Sequence, residues 1–377
     1  MVYLDNAATS FPKPEETLRH LMHFVAEVGG NPGRSGHPLS IDAARIIFEA
    51  REKLAELINV PVSERLIFTS NGTESLNLAI LGLVQPGDHV VTTSLEHNSV
   101  MRPLDHLQKT RGVEVTVVPC SPMGELDPDD LQRAIRRTTR AVVINHGSNV
   151  IGTVQPLQPI RHAIGEIPLI LDACQTIGNV PIDVQSDTID VICFSCHKSL
   201  FGIQGLGAAY FRRHLDPRPL KFGGTGSKSE STEQPGVLPD KYESGTPNTP
   251  AIAALLGGLT FIETTGLAEI VRKKHANRDY LIKRLTEFDG ATIHGRPAVG
   301  DTLAIIAMNL RGRTPSEVAY ACNQAGVCVR VGLHCSPMAH RTIGTFPQGA
   351  VRVSPGYFTT EEDIERFMEV LHGLVQR

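Results

Sequence analysis

A lysine just beyond an apolar, β-rich run is an amine that partial burial can keep uncharged near neutral pH. Lys198 has that setting: Cys193-Phe194-Ser195-Cys196-His197-Lys198 runs into a stretch holding Gly202, Gly205 and Gly207. Burial disfavours the ammonium, and a free amine is what Schiff-base chemistry requires. A P-loop reading fails, because His197 and Ile192 stand where its glycines belong. Cys193 to His197 matches the C-x-x-C-H spacing of covalent haem attachment. As a strand, however, the segment puts Cys193 and Cys196 on opposite faces, away from a common macrocycle. An ordinary surface lysine remains the alternative for Lys198 taken alone.

Other reactive side chains recur where predicted strands end. Asp172, in Leu169-Ile170-Leu171-Asp172-Ala173-Cys174-Gln175, closes an apolar run. A buried carboxylate there needs a cationic partner, such as a protonated pyridine nitrogen, or else it caps a helix. Ser70-Asn71-Gly72-Thr73-Glu74 is a small-residue turn into a helix, suited to a phosphate and equally to ordinary capping. Leu95-Glu96-His97-Asn98-Ser99 supplies an imidazole that is either a ring for stacking on an aromatic cofactor or a solvated loop side chain. Near the C-terminus, Arg330 and His334 flank Cys335 and could favour its thiolate, the alternative being an inert loop thiol.

The elements that must position these groups alternate. Strands are expected at 65–69, 89–93, 113–118, 141–144, 169–171, 191–194 and 208–211, with helices at 75–83 and 99–109. Strands separated by helix-length segments imply crossovers and a mostly parallel sheet. Gly223 to Pro239 is polar and reads as a long loop. Beyond Pro250 the pattern changes to helices at 251–264 and 267–288, then to strands at 302–308, 327–330 and 350–353 with helices at 314–324 and 360–375. The expected architecture is α/β, with a large sheet domain over 15–255 and a smaller α+β domain over 256–377 joined by 1–14.

The 377 residues suffice for a sizeable core. Thirty-six Lys and Arg against forty Asp and Glu, a net charge of −4, argue against nucleic-acid binding. No apolar run approaches the ~18 residues of a membrane helix. Met1 to Asn6 shows no basic stretch leading into an apolar one, and seven cysteines is an odd count. Reduced thiols and a cytoplasmic location are therefore expected.

Phosphate turn, ring-stacking histidine, carboxylate and amine thus follow one another at successive strand ends. Together they resemble the pyridoxal-phosphate enzymes of fold type I, the class V aminotransferase group within them, and especially the group II cysteine desulfurases. The resemblance runs from Tyr3-Leu4-Asp5-Asn6-Ala7-Ala8-Thr9 through Arg34, His37 and Ser40 to the R-x-G-x-H-C segment ending at Cys335. It implies that Lys198 binds pyridoxal 5'-phosphate covalently and then moves protons. Asp172 matches the partner of the pyridine nitrogen, Gln175 the amide near the phenolic oxygen, and His97 the stacking ring. Gly72, Thr73, Ser195 and His197 match phosphate ligands. Asn149 matches an amide near cofactor and substrate, Arg352 the grip on the substrate carboxylate, and Arg330 falls on the substrate side. Thr246, in Glu243-Ser244-Gly245-Thr246-Pro247-Asn248-Thr249, implies a homodimer in which it reaches the neighbouring subunit's phosphate. Cys335 implies L-cysteine as substrate, a persulfide, L-alanine as product and a sulfur-acceptor protein. No metal site is implied. Leu333 and Ser336 depart from a pattern that often has His and Ala there, and the 223–239 loop is short for the family. Selenocysteine lyase and aminotransferase activities are the neighbouring alternatives; a haem carrier and a catalytically silent scaffold are more distant ones.

Overall fold

The apolar runs become strands buried on both faces of one sheet. The computed structural model describes residues 1–33, 35–295 and 302–375, so the landmark Arg34 lies outside the described residues. Its strands, in chain order, are β1 (Val2–Tyr3), β2 (Leu66–Thr69), β3 (His89–Thr93), β4 (Glu114–Val118), β5 (Thr139–Asn145), β6 (Leu169–Asp172), β7 (Val191–Ser195) and β8 (Gly207–Phe211). They continue with β9 (Ala291–His294), β10 (Ile306–Leu310), β11 (Val327–Cys328), β12 (Arg330–Gly332) and β13 (Ala350–Val353). The helices are α1 (Glu15–His23), α2 (Pro38–Leu57), α3 (Gly72–Leu83), α4 (Asn98–Arg111), α5 (Pro128–Ala134) and α6 (Leu157–Ile164). After them come α7 (Thr249–Thr265), α8 (Leu267–Glu287), α9 (Pro315–Gln324), α10 (Pro337–Thr342) and α11 (Glu361–Val375).

The large sheet has the order β2-β8-β7-β6-β5-β3-β4. Only β8 runs against its neighbours, β2 and β7; the other pairs are parallel. Side-chain alternation divides its apolar residues between two cores. Leu169, Leu171, Ile192 and Phe194 enter one; Ile170, Val191 and Cys193 enter the other. Each fully buried aliphatic side chain contributes roughly 1.5–3 kcal/mol. Cys196 lies in the first core and Cys193 in the second, so the C-x-x-C pair straddles the sheet and has no common ligand. α7, apolar around its whole circumference, is buried accordingly and packs on α1 and α2. No single helix among the described residues is long and apolar enough to cross a membrane.

The C-terminal part has its own antiparallel sheet, β12-β13-β10-β9. Its core includes Leu281, Leu285, Val318, Val351, Phe367 and Leu371. The chain start joins it through parallel pairing of Val2 with Val327. Two expected strands are altered. The 302–308 run becomes a strand only from Ile306, because Thr302 bridges Thr153 and the N–H of Leu303 bonds Gly152. The 327–330 run divides, since β11 pairs with β1 while β12 pairs with β13. Residues 223–239 form no regular element, as expected.

Candidate active site

The parallel strands aim their C-terminal ends at one crevice, where open α/β sheets bind ligands. A cleft of ≈ 540 Å³ there is lined by Gly72 and Thr73 after β2, and by His97 after β3. Asn149 after β5, Asp172 and Gln175 at and after β6, and Ser195, His197 and Lys198 at the end of β7 line it too. Sequence positions from 72 to 198 thus meet in one place.

The α3 end is built by close approach. Asn71 caps the helix, its Oδ1 accepting from Glu74 N at 2.9 Å. β8 lies so near that turn that a Cβ on Gly207 would sit 2.4 Å from the carbonyl carbon of Asn71. A Cβ on Gly72 would sit 2.5 Å from Cys174 Sγ. The first amides of α3 therefore open on the cleft with their positive dipole end. Thr73 Oγ1 shares a 2.7 Å hydrogen bond with Ser99 Oγ, which in turn lies 2.9 Å from His97 Nδ1. Ser99 N also donates to His97 Nδ1 at 3.0 Å, so the neutral ring carries its proton on Nε2. Burial holds the His97 pKa below the ordinary histidine range, although Asp172 opposes it.

Asp172 is buried and accepts from Cys174 N at 3.0 Å, so it caps the following turn as well as lining the cleft. Burial lowers the Lys198 pKa, with Cys174 and Asp172 opposing. His197 is pushed down to about 4 by burial and by the charges of Lys198 and Lys13. Its carbonyl accepts from Thr9 Oγ1 at 2.9 Å and Lys13 Nζ at 2.8 Å, which ties the N-terminal segment to the cleft floor. Gln175 Nε2 donates to Ala7 O at 3.0 Å and reinforces that tie. Ser195 Oγ and His197 Nδ1 are buried with no hydrogen-bond partner among the described residues. Two unpartnered buried polar groups beside a helix N-terminus fit an absent oxyanion.

Thr246 lies elsewhere. It lines a second cleft with Ser70, Lys221 and Glu243. Arg51 grips Glu243 bidentately, Nη1 to Oε1 at 2.8 Å and Nη2 to Oε2 at 2.9 Å, and so anchors the segment.

Cys335 is exposed, and Arg330 Nη2 is 3.9 Å from its sulfur. His334, expected beside the thiol, is instead buried. Its Nδ1 lies 3.1 Å from His340 Nε2 and its Nε2 3.4 Å from Arg330 O. Burial pushes its pKa down to about 3. The Cys335 carbonyl accepts from Asn98 N at 2.8 Å, and the His334 carbonyl from Asn149 Nδ2 at 2.8 Å. Those contacts hold the cysteine loop against two strand ends of the large sheet. Arg352 is buried, donating from Nη1 to Asn149 O at 3.0 Å and from Nη2 to Asp5 Oδ1 at 2.8 Å. Its Nε has no partner among the described residues.

Residues 2–367 match the protein family Aminotransferase class-V. The chain belongs to that family. This class-V chain is 33% identical over 384 residues to a probable cysteine desulfurase of Methanothermobacter thermautotrophicus, covering 99% of this chain and 94% of the relative. It is 30% identical over 383 residues to a cysteine desulfurase of Haloferax volcanii, covering 98% and 88%. The apo cysteine desulfurase from Thermococcus onnurineus NA1 superposes with a TM-score of 0.93 at 28% identity, covering 100% of this chain and 94% of that one. The cysteine desulfurase CsdA from Escherichia coli gives 0.87 at 25% identity, covering 99% and 94%. The class-V, fold-type-I family uses pyridoxal 5'-phosphate, and the donor set here fits it. Hydroxyls, an imidazole and helix amides suit the phosphate, Asp172 suits a pyridinium, and Lys198 suits an aldehyde.

Four participants escaped the sequence reading. Ser99 bridges Thr73 and His97, while Cys174 and Asn145 line the cleft. Glu96 is fully buried behind it, its Oε1 accepting from Thr93 Oγ1 at 2.7 Å and Asn145 N at 2.9 Å. Ser99 and Glu96 stand in the 95–99 segment already singled out, where the histidine drew attention from its neighbours.

Proposed function

We propose that this chain is a cytoplasmic, homodimeric cysteine desulfurase that converts L-cysteine to L-alanine and passes sulfur through Cys335 to an acceptor protein. The observation that carries this reading is the pinning of an exposed cysteine, through Asn98 and Asn149, beside the cleft of Lys198 and Asp172.

Pyridoxal 5'-phosphate, when bound, supplies an electron sink for the substrate α-carbon. Thr73, Ser195, His197 and the α3 amides would hold its phosphate, and the missing side chain of Gly72 would leave the backbone open to it. Asp172 would pair with the ring nitrogen and favour its protonated form, His97 would supply a neutral imidazole to stack on the ring, and Gln175 would supply an amide for the phenolic oxygen. Arg352 and Asn149 bind the substrate carboxylate, with Arg330 beside them. Lys198, whose ammonium form burial disfavours, takes the proton from Cα and returns it. The Cys335 thiolate attacks the substrate sulfur. The S–S bond forms as the Cβ–S bond breaks, Cβ gains a proton, and no outside oxidant or reductant is consumed. The position of Thr246 in a cleft of its own supports its reaching a partner's phosphate rather than this chain's.

The test is L-cysteine turnover with alanine and sulfide both quantified, for wild type and Cys335→Ser. With a thiol reductant added to convert the persulfide to sulfide, wild type is expected to form both, and Cys335→Ser to keep its cofactor and lose turnover. Normal turnover by Cys335→Ser, or consumption of a 2-oxo acid in place of sulfide release, would refute the reading.

A further inference from the structure

The loop that carries Cys335 is closed by a side chain from the turn that follows β5. Ser336 is fully buried, at 0% exposure, yet carries a hydroxyl. That hydroxyl donates to Asn149 Oδ1 at 2.8 Å, and Asn149 Nδ2 donates to His334 O at 2.8 Å. One amide therefore bridges the residues on either side of the cysteine. We propose that Ser336 is a positioning residue for the Cys335 thiol, acting through Asn149; the inference rests on the desulfurase reading.

The loop needs such a clasp. His334 and Cys335 have φ of 51° and 58°, a left-handed conformation that non-glycine residues seldom adopt. Adjacent strained residues keep that shape only where the surroundings over-determine it. The His334 ring is fixed by His340, whose Nδ1 lies 2.7 Å from Thr345 Oγ1. Its carbonyl, and the Ser336 side chain, are held by Asn149 alone among the described residues. Asn149 is itself 6% exposed, and its own carbonyl accepts from Arg352. The thiol and the guanidinium assigned to the substrate carboxylate are thus indexed to one residue.

Remove the hydroxyl and Asn149 Oδ1 becomes a buried acceptor without a donor, a state proteins avoid. The amide is then free to rotate, and the cysteine loses its register. Sulfur attack is sensitive to such displacement, because small misplacements of reacting atoms carry large rate penalties.

Ser336→Thr and Ser336→Val test this, being alike in size and differing in the hydroxyl; Ser336→Ala, which adds no bulk, is run beside them. Each is studied as the cofactor-loaded enzyme, by kcat and KM for L-cysteine and by amide hydrogen exchange of residues 333–337 and Asn98. Val and Ala are expected to lose about tenfold in kcat relative to Thr and wild type respectively. The named amides should exchange faster, and KM should rise as well, because the freed Asn149 amide is also assigned to the substrate carboxylate. Matching kcat and exchange for Thr and Val, and for Ala and wild type, would overturn the proposal. If wild type itself fails to release sulfur from L-cysteine, the desulfurase reading falls, and the exchange comparison still decides whether the clasp exists.

Discussion

The backbone N–H of Asn98 donates to the carbonyl oxygen of Cys335 at 2.8 Å. Asn98 opens α4 directly after the cleft residue His97, and a first-turn amide has no partner inside its own helix. The cysteine loop supplies that partner. A requirement of helix geometry thereby fastens position 335 to a cleft whose other walls come from positions 72 to 198. The fold thereby ties the loop of an exposed thiol to the wall of the cleft that holds a buried amine.

Gly72 leaves no room for a side chain at that cleft. Gly72→Ala drives a Cβ to 2.5 Å from Cys174 Sγ, while its next neighbours, Phe194 C and Ser195 N, are at 3.4 Å. The single variant is expected to bind pyridoxal 5'-phosphate at least about tenfold more weakly, a loss of ~1.4 kcal/mol. Gly72→Ala with Cys174→Ala is expected to recover most of that loss, because only the sulfur obstructs. Cofactor titration by absorbance checks both.

Glu96 governs a pH effect on stability. Burial raises its pKa from 4.5 to about 8, against the hydrogen bonds from Thr93 and Asn145 N. A carboxyl whose folded pKa exceeds its unfolded one contributes fully below the unfolded value and loses that contribution as pH rises toward the folded one. Wild type should therefore lose stability, relative to Glu96→Gln, between pH ~4.5 and ~8, by at most about 5 kcal/mol. Glutamine keeps the Oε1 acceptor and cannot ionise. Denaturant midpoints of both proteins across that window are the measurement, and parallel curves would contradict it.

Arg51 and Glu243 form a largely buried ion pair, and Glu243 Oε1 also accepts from Phe68 N at 2.7 Å. Arg51→Met leaves that carboxylate buried without its cation, so a loss of about 3–5 kcal/mol is expected. Exchange of the 243–248 amides should accelerate with it, since Arg51 anchors the segment carrying Thr246. Denaturant unfolding and hydrogen exchange report the two effects separately.

How much of this could be read from sequence depended on whether a property was local. β3 and β13 fall where alternation and apolar runs put them, and α8 within a residue, because strand and helix signals are periodic. α1, α2, α5, α6 and α10 were not among the expected helices; α5 and α10, at 7 and 6 residues, are too short for a helical period to show. Lys198, Asp172 and His97 were recognisable because each follows an apolar strand. His334 was misplaced beside the thiol, since adjacency in sequence does not reveal that His340 draws its ring inward. Ser336 stood out only as a departure from a pattern, and its contact with Asn149 spans 187 residues. Such a pairing is a property of tertiary structure, beyond any local signal.

The most direct test of the account is the mass of the Cys335 peptide after one turnover of L-cysteine without acceptor or reductant. One added sulfur atom on that peptide is predicted, in step with one L-alanine released per active site. Alanine accumulating while this peptide keeps its original mass, with the same yield from Cys335→Ser, would contradict it.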